Sequence, residues 1–288
     1  MSSARTESGC KVNLFLRVAG RRADGYHTLE TVFFPLGFPS DTLEADFDAA
    51  PGIALEVDAP GVPAGAENLV CRAAASYAER SGLTPRWRFR LTKRVPVAAG
   101  LGGGSADAAA ALRLLDGRFG ALDKQELARI ASELGADVPF FLDPRPALGR
   151  GVGGDLEFVT ATGELPLVLV NPGFPVSVKW AYRRFDLDGA EASDAGCDGV
   201  LAGLARGDLK LVAGNVRNDL AGALWRKFPV LTRIADELAA RGALAVEVSG
   251  SGPTLFAVMP SAVLARRAAA DLSERYPQWR SFAAEGRR

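Results

Sequence analysis

PVAAGLGGGSADAAAALRLL, residues 96–115, places four glycines within five positions and follows them at once with an alanine-rich run. The order is strand end, glycine turn, helix. Pro96 closes the alternating segment WRFRLTK at 87–93, and a helix is predicted from about Ser105 to Phe119. A helix N-terminus presents N–H groups without intrahelical partners and a partial positive charge. Glycines remove the side chains that would keep a ligand away from that backbone. The combination suits a phosphate group. Ser105 stands where an N-cap belongs, and its hydroxyl could serve a phosphate oxygen or a magnesium ion. The plainer alternative is a turn that lets a helix pack tightly on a sheet; the three consecutive glycines at 102–104 favour phosphate.

Two familiar phosphate motifs fail here. A P-loop needs a lysine after its last glycine, and none follows. A dinucleotide fingerprint, G-x-G-x-x-G, is missed at its third place by Gly100, Gly102 and Ser105. A literal match occurs at Gly149, Gly151 and Gly154, but Asp155–Val159 reads as extended where a helix is required. A nicotinamide-dependent oxidoreductase would rest on those three glycines alone.

Outward from the turn, the chain mixes strands and helices without a regular βαβ repeat, so α+β is expected rather than a doubly wound parallel sheet. In CKVNLFLRV, 10–18, Val12, Leu14, Leu16 and Val18 take one face and Lys11, Asn13, Phe15 and Arg17 the other: a half-buried strand. Further strands are predicted near Leu29–Leu36, Thr42–Phe47 and Ile53–Val57. A helix runs over Glu67–Arg80, starting near Asn68. Another starts at Asp123, with Glu126 completing a capping-box pattern, and stops at Gly135. RPALGRGVGG, 145–154, reads as a loop or edge. The second half opens on the strand LPLVLV. Helices are predicted near 178–185, 208–228 and 229–241, then strands ALAVEVS and TLFAVM, a helix from about Ser261 and a short strand near 279–284.

At 288 residues two domains are the default. Lys+Arg and Asp+Glu both count 34, a balance that argues against a nucleic-acid backbone or an anionic membrane as main partner. No apolar run approaches the roughly 18–20 residues of a membrane span, and MSSARTESG has no apolar signal core. Cys10, Cys71 and Cys197 are far apart and read as reduced cysteines of a cytoplasmic protein. With one histidine in the chain, no metal-ligating cluster is legible.

Three polar sites stand out beside the turn. Lys11 shares a strand face with Asn13, so both can meet one ligand; alone, Lys11 reads as a solvated strand lysine. Asp137, between Gly135 and Pro139 before an apolar FFL, is a candidate general base or an ordinary turn aspartate. In DGYH, Tyr26 offers a flat face and His27 a donor or acceptor, or the pair is a plain turn.

Together these segments resemble the GHMP kinase superfamily. The glycine loop carries the general signature, and VEVSGSGPTLFAV at 246–258 is similar to the family's C-terminal glycine motif. KVNLFLRV, RRADGYHTLETVF and LGADVPFFL resemble the branch acting on a CDP-linked methylerythritol. The likeness runs from about residue 10 to 259, and DGYHTLET and GADVPFF are its specific parts.

The resemblance implies a ribosomal-protein-S5-like N-terminal domain, about 1–155, and a ferredoxin-like C-terminal domain, about 156–288, with the site in the cleft. It implies ATP-dependent phosphorylation of the 2-hydroxyl of the CDP-linked methylerythritol, a step toward isoprenoid precursors, with Mg2+ accompanying ATP. Lys11 and Asp137 match the catalytic pair. Asn68, Pro96, Gly100, Leu101, Gly102, Gly103, Gly104 and Ser105 match the ATP side. Asn13, Tyr26 and His27 match substrate contacts, with Tyr26 and, by a looser alignment, Tyr182 as two sides of an aromatic clamp on cytosine. No magnesium ligand is legible. A monomer or weak homodimer is expected, with no nucleic-acid or membrane partner. The chain departs from the family at Gly9-Cys10, usually Pro-Ala, and at Val178, where a hydroxyl residue is common. A homoserine- or mevalonate-type kinase would keep the loop, lysine and aspartate without needing Tyr26 with His27. A non-catalytic nucleotide-binding module is the other rival.

Overall fold

The structure, a computed structural model, describes residues 3–188 and 196–286. Two long strands open the chain, β1 (Ser3–Arg21) and β2 (His27–Asp46), then β3 (Gly52–Val57), helix α1 (Leu69–Ser81) and β4 (Arg86–Thr92). Three helices follow: α2 (Gly103–Phe119), α3 (Lys124–Leu134) and the short α4 (Val138–Leu142). Then come β5 (Ala147–Arg150), β6 (Asp155–Phe158), β7 (Pro166–Asn171) and α5 (Val178–Leu187). The last third holds α6 (Asp198–Arg206), α7 (Leu209–Ala213), β8 (Arg217–Asn218), α8 (Ala221–Lys227), α9 (Pro229–Ala239), β9 (Ala245–Val248), β10 (Leu255–Val258), α10 (Ala262–Arg275) and β11 (Arg280–Glu285). The expected α+β class holds. Among the described residues no helix is long and apolar enough to cross a membrane.

The chain forms two compact units. The first comprises Met1–Cys10, Pro39–Val97 and Gly102–Pro144; the second, Lys11–Phe38, Ala98–Leu101 and Arg145–Arg288. The division falls within β1 and β2, so each unit takes part of both strands.

In the first unit, β4 lies antiparallel to the end of β2, with Leu43 opposite Leu91, and parallel to β3, with Leu55 opposite Phe89. Alternation of Trp87, Phe89 and Leu91 with Arg86, Arg88 and Arg90 buries one face of β4. Trp87 meets Tyr77 of α1 and Phe119 of α2, with ring centroids 6.2 and 5.6 Å apart. Ala106 and Ala108–Ala111 are all buried, and their small side chains let α2 pack closely on its neighbours. Asn68 caps α1 by accepting from the Val70 amide at 2.9 Å, and Asp123 caps α3 by accepting from the Glu126 amide at 2.8 Å, as the sequence led one to expect.

In the second unit, the sheet order β11-β7-β10-β9 is antiparallel throughout, with Val168 opposite Ala257 and Ala283. β7 is buried along its whole length. Leu231, Ile234 and Leu238 of α9 and Ala265, Ala268 and Leu272 of α10 complete one core with Val168, Val170, Leu255 and Ala257. This is the ferredoxin-like half. The unit also holds the later part of β1, pairing in parallel with β8, and the early part of β2, pairing with β5.

Four local expectations are corrected. The two strands predicted over 29–36 and 42–47 are one strand, β2. RPALGRGVGG forms β5, a turn and the approach to β6, a hairpin with Gly149 opposite Leu156. A β-carbon on Gly149 would stand 2.7 Å from the Phe33 ring, so this glycine serves packing, and no helix follows. The single helix predicted over 208–228 is broken into α7, β8 and α8. Finally, β1 is buried on both faces from Cys10 to Leu16, with Lys11 and Asn13 at 4% and 2% exposure rather than at a solvated face. The segment 189–195, within a stretch of small and acidic residues, lies outside the described residues.

Candidate active site

A lysine almost fully withdrawn from water must be compensated. Lys11 Nζ donates to Asn13 Oδ1 at 2.6 Å and to the Gly100 carbonyl at 3.1 Å, and it stands 5.5 Å from the centre of the Phe33 ring. Asn13 in turn donates to Thr31 Oγ1 at 2.7 Å, and that hydroxyl donates to the Phe15 carbonyl at 2.7 Å. Thr31 thus fixes which end of the Asn13 amide faces the amine. The backbone of Lys11 is held too, its N–H donating to Leu101 at 3.0 Å. Lys11, Asn13, Gly100 and Leu101 are therefore brought together by the second unit.

The glycine motif near the C-terminus joins the same cluster. Ser249 Oγ donates to the Gly100 carbonyl at 3.0 Å. Gly100 has φ +77°, and a β-carbon there would lie 2.0 Å from the Ser249 carbonyl oxygen, so only glycine fits. At Gly250 a β-carbon would lie 3.0 Å from Asn13 Oδ1 and 3.3 Å from Lys11 Nζ. Asn218 supports this turn, donating to the carbonyls of Val248 at 2.8 Å and Gly250 at 2.7 Å. Thr31, Asn218 and Ser249 were not singled out from the sequence. Thr31 and Asn218 act by pairing distant segments, which no local pattern reveals. Ser249 lay inside a quoted motif but was given no role.

In the first unit, the helix following the glycine turn starts two residues earlier than predicted. Gly102, with φ +71°, is the N-cap of α2, and it has no side chain to cap with. Ser105 is the third residue of the helix, not its cap. Gly103, Gly104 and Ser105 form a first turn whose N–H groups precede the first intrahelical bond, Ala106 to Gly102 at 2.9 Å.

A buried lysine stands behind the motif, already paired with two carboxylates. Lys93 Nζ lies 3.4 Å from where a β-carbon of Gly103 would stand. It donates to Asp107 at 2.7 Å and to Asp41. Ser8 donates to the other Asp107 oxygen at 2.6 Å, and Asp41 accepts from the Val95 amide at 2.8 Å. Burial pushes the Asp107 carboxyl up to about 6, against the lowering by Lys93 and with a further push from Asp41. The one local sign of this network is an aspartate set inside an alanine run, and it does not name its partners on other segments.

Pro96 is buried just after the end of β4. Asn68 is buried, with Oδ1 on the Val70 amide and Nδ2 donating to Pro63 at 2.7 Å. Asp137 is the half-buried N-cap of α4, and its side chain makes no capping bond there, unlike an ordinary turn aspartate. Pro139 falls in the first turn of α4 and Gly135 ends α3.

The aromatic residues gather in the second unit. The His27 imidazole stacks on Tyr182, with centroids 5.0 Å apart and planes 23° apart. Tyr26 beside it is 67% exposed, leaving its ring face open to a planar group. Val178, the family departure, is exposed at the start of α5.

Comparison with known proteins gives the family. The GHMP kinase N-terminal domain model matches residues 68–143 and the GHMP kinase C-terminal model residues 200–278. The chain is 41% identical to the 4-diphosphocytidyl-2-C-methyl-D-erythritol kinase of Moorella thermoacetica over 273 residues, covering 93% of this chain and 94% of that one. A crystal structure of 4-(cytidine 5'-diphospho)-2C-methyl-D-erythritol kinase superposes with a TM-score of 0.83 at 37% identity, over 98% of this chain and 99% of the other. Homoserine kinase from Cytophaga hutchinsonii shares the fold, with a TM-score of 0.75 at 20% identity over 100% and 95% of the two chains. The chain belongs to the GHMP kinases, and within them to the 4-diphosphocytidyl-2-C-methyl-D-erythritol kinase family.

Proposed function

We propose that this protein transfers the γ-phosphoryl group of ATP to the 2-hydroxyl of 4-(cytidine 5'-diphospho)-2-C-methyl-D-erythritol, in the cytoplasm, on the way to isoprenoid precursors. The observation that carries the reading is likeness at about two-fifths identity along nearly the whole chain to enzymes so named. Chemistry at the buried lysine supports it. Phosphoryl transfer needs positioning and neutralisation of oxygen charge more than covalent help.

On this reading the turn at Gly100–Ser105 and the start of α2 bind the triphosphate. Asn68 and Pro96 belong to the ATP side. The Lys11 ammonium stabilises charge developing on the transferred group. Asn13 Oδ1 and the Gly100 carbonyl accept from the amine and hold it in place. Asp137 accepts the proton of the attacking hydroxyl. Tyr26, His27 and Tyr182 bind the cytosine end.

Among the described residues no group of three or more His, Cys, Asp or Glu side chains forms a metal cage. That suits a magnesium ion carried mainly by nucleotide phosphates and water, with the Ser105 hydroxyl as a protein oxygen within the first turn of α2. When bound it supplies charge neutralisation at the phosphate oxygens.

The test is an ADP-release assay with ATP and the CDP-linked alcohol. Turnover is expected there and not on homoserine or mevalonate. Turnover on either of those, without turnover on the CDP-linked alcohol, rejects the assignment in favour of another kinase of the superfamily; ATP binding without turnover on any alcohol rejects it in favour of a non-catalytic module.

A further inference from the structure

His27 is the only histidine of the chain, and one helix fixes its ring. On α5, Tyr182, Phe185 and Asp186 fall at spacings of three and four residues and share a face. Tyr182 stacks on the imidazole. Phe185 meets it at right angles, with centroids 6.4 Å apart. Asp186 Oδ1 lies 2.7 Å from Nε2. The imidazole side chain is only 8% exposed, so these contacts leave it little freedom to turn.

A carboxylate offers lone pairs only, so the ring nitrogen facing it must donate. The hydrogen therefore sits on Nε2, and in a neutral imidazole the lone pair then sits on Nδ1. Among the described residues Nδ1 has no hydrogen-bond partner. Arg21 Nη1, 3.8 Å from Asp186 Oδ2, adds a cation behind the carboxylate. The result is one acceptor atom, of fixed polarity and orientation, in the sequence neighbour of the exposed Tyr26 ring.

We propose that Asp186 is a specificity-determining positioning residue: by holding the His27 hydrogen on Nε2, it makes Nδ1 an acceptor that selects a nucleobase presenting an amino group, cytosine, over one presenting a carbonyl, uracil. The proposal rests on the reading of the substrate as nucleotide-linked. Cytosine offers an N4 amino donor where uracil offers the O4 acceptor. A lone pair on Nδ1 matches the first and opposes the second, and a polar group left unpaired at a site costs far more than a merely weaker contact.

Asparagine at 186 removes the constraint. Its amide can accept from Nε2–H or donate to an Nε2 lone pair, so both tautomers of His27 are served. The experiment titrates wild type and Asp186→Asn with the CDP-linked and the UDP-linked methylerythritol, by calorimetry, with a non-hydrolysable ATP analogue present. Wild type is expected to favour the cytosine ligand at least about tenfold, the scale of one well-placed hydrogen bond between polar groups. Asp186→Asn should lose most of that preference while its affinity for the ATP analogue stays unchanged.

Because the chain has a single imidazole, its nitrogen resonances read the tautomer directly. Wild type should carry the hydrogen on Nε2, and Asp186→Asn should shift toward a mixture. An unchanged cytosine-to-uracil ratio in Asp186→Asn, or a wild type with the hydrogen on Nδ1, overturns the proposal; the second readout decides alone should the variant not fold. A wild type that discriminates between the bases but transfers no phosphoryl group overturns the assigned reaction and leaves the role of Asp186 standing. A wild type that binds neither ligand overturns both.

Discussion

Lys11 and Asp137 are the residues to which the proposed function gives the chemistry, and they differ in how legible they were. Alternation put Lys11 on a strand face with Asn13, correctly, but assigned that face to solvent. Both faces of β1 are buried there because Thr31, Phe33 and the Gly100 turn cover what periodicity alone would expose. Burial turns an ordinary strand lysine into one whose every hydrogen must be accounted for. Asp137 was placed by its flanking Gly135 and Pro139, and its side chain makes no capping bond at the start of α4. Asp137→Asn keeps the size and the helix start. It is expected to fold as the wild type does and to lose at least about 100-fold in turnover, the low end for a general base. Near-wild-type kcat in a variant of unchanged melting temperature would remove Asp137 from the role. Tyr26, by contrast, is an exposed ring to which the proposed function gives a stacking role. Its replacement by alanine should cost roughly 1–3 kcal/mol of base binding, by analogy with base–aromatic stacking. The KM for the CDP-linked substrate should rise and that for ATP stay put; equal rises in both would contradict the assignment.

The junction of β4 with α2 shows what elements contribute beyond single side chains. The glycine turn and the alanine run were readable because each has a local physical purpose: close approach for the glycines, tight packing for the alanines. Lys93, Asp41 and Asp107 were not, because their meaning depends on three segments meeting. Lys93 follows the end of β4 and Asp107 sits in the second turn of α2, while Asp41 interrupts the apolar run of β2 at zero exposure. Removing the cation strands two buried carboxylates. Lys93→Met is therefore expected to destabilise the protein by about 3–5 kcal/mol, the usual cost of breaking a buried ion pair. Asp107→Asn retains a hydrogen-bonding group on both Ser8 and Lys93 and should cost less. Denaturant midpoints of the two variants rank them; a Lys93→Met protein as stable as wild type would mean that the network contributes nothing net. The same non-local logic explains the broken helix over 208–228. Arg217 and Asn218 are drawn into a parallel pairing with Phe15 and Leu16, and that pairing outweighs the helical propensity on either side.

For the molecule as a whole, the α+β class and most elements were readable from periodicity, caps and turns. Two compact units that share β1 and β2 leave no linker and no shift of composition to mark their border. Stability over pH is a property of this scale, and Glu247 is its clearest lever. It lies in β9, just before the Ser249–Gly252 turn, and its Oε1 accepts from the Val248 amide at 2.8 Å. Burial dominates and pushes the carboxyl up to about 7; the Val248 amide and the Arg217 guanidinium oppose this, and the Asp219 carboxylate adds to it. In the unfolded chain the same group titrates near 4.3. Between those values the unfolded state has released its proton and the folded state has kept it, so raising the pH favours unfolding. The loss begins near the unfolded value, grows through the interval and is complete above the folded one. Glu247→Gln keeps the acceptor oxygen for Val248 and removes the titration. Its stability relative to wild type should therefore rise from pH 5 to pH 8, by at most about 3 kcal/mol for a shift of this size. Urea unfolding of both proteins at the two pH values measures the difference. A gap that stays constant, or that widens toward acid, would show that the Glu247 carboxyl ionises as readily in the fold as it does in water.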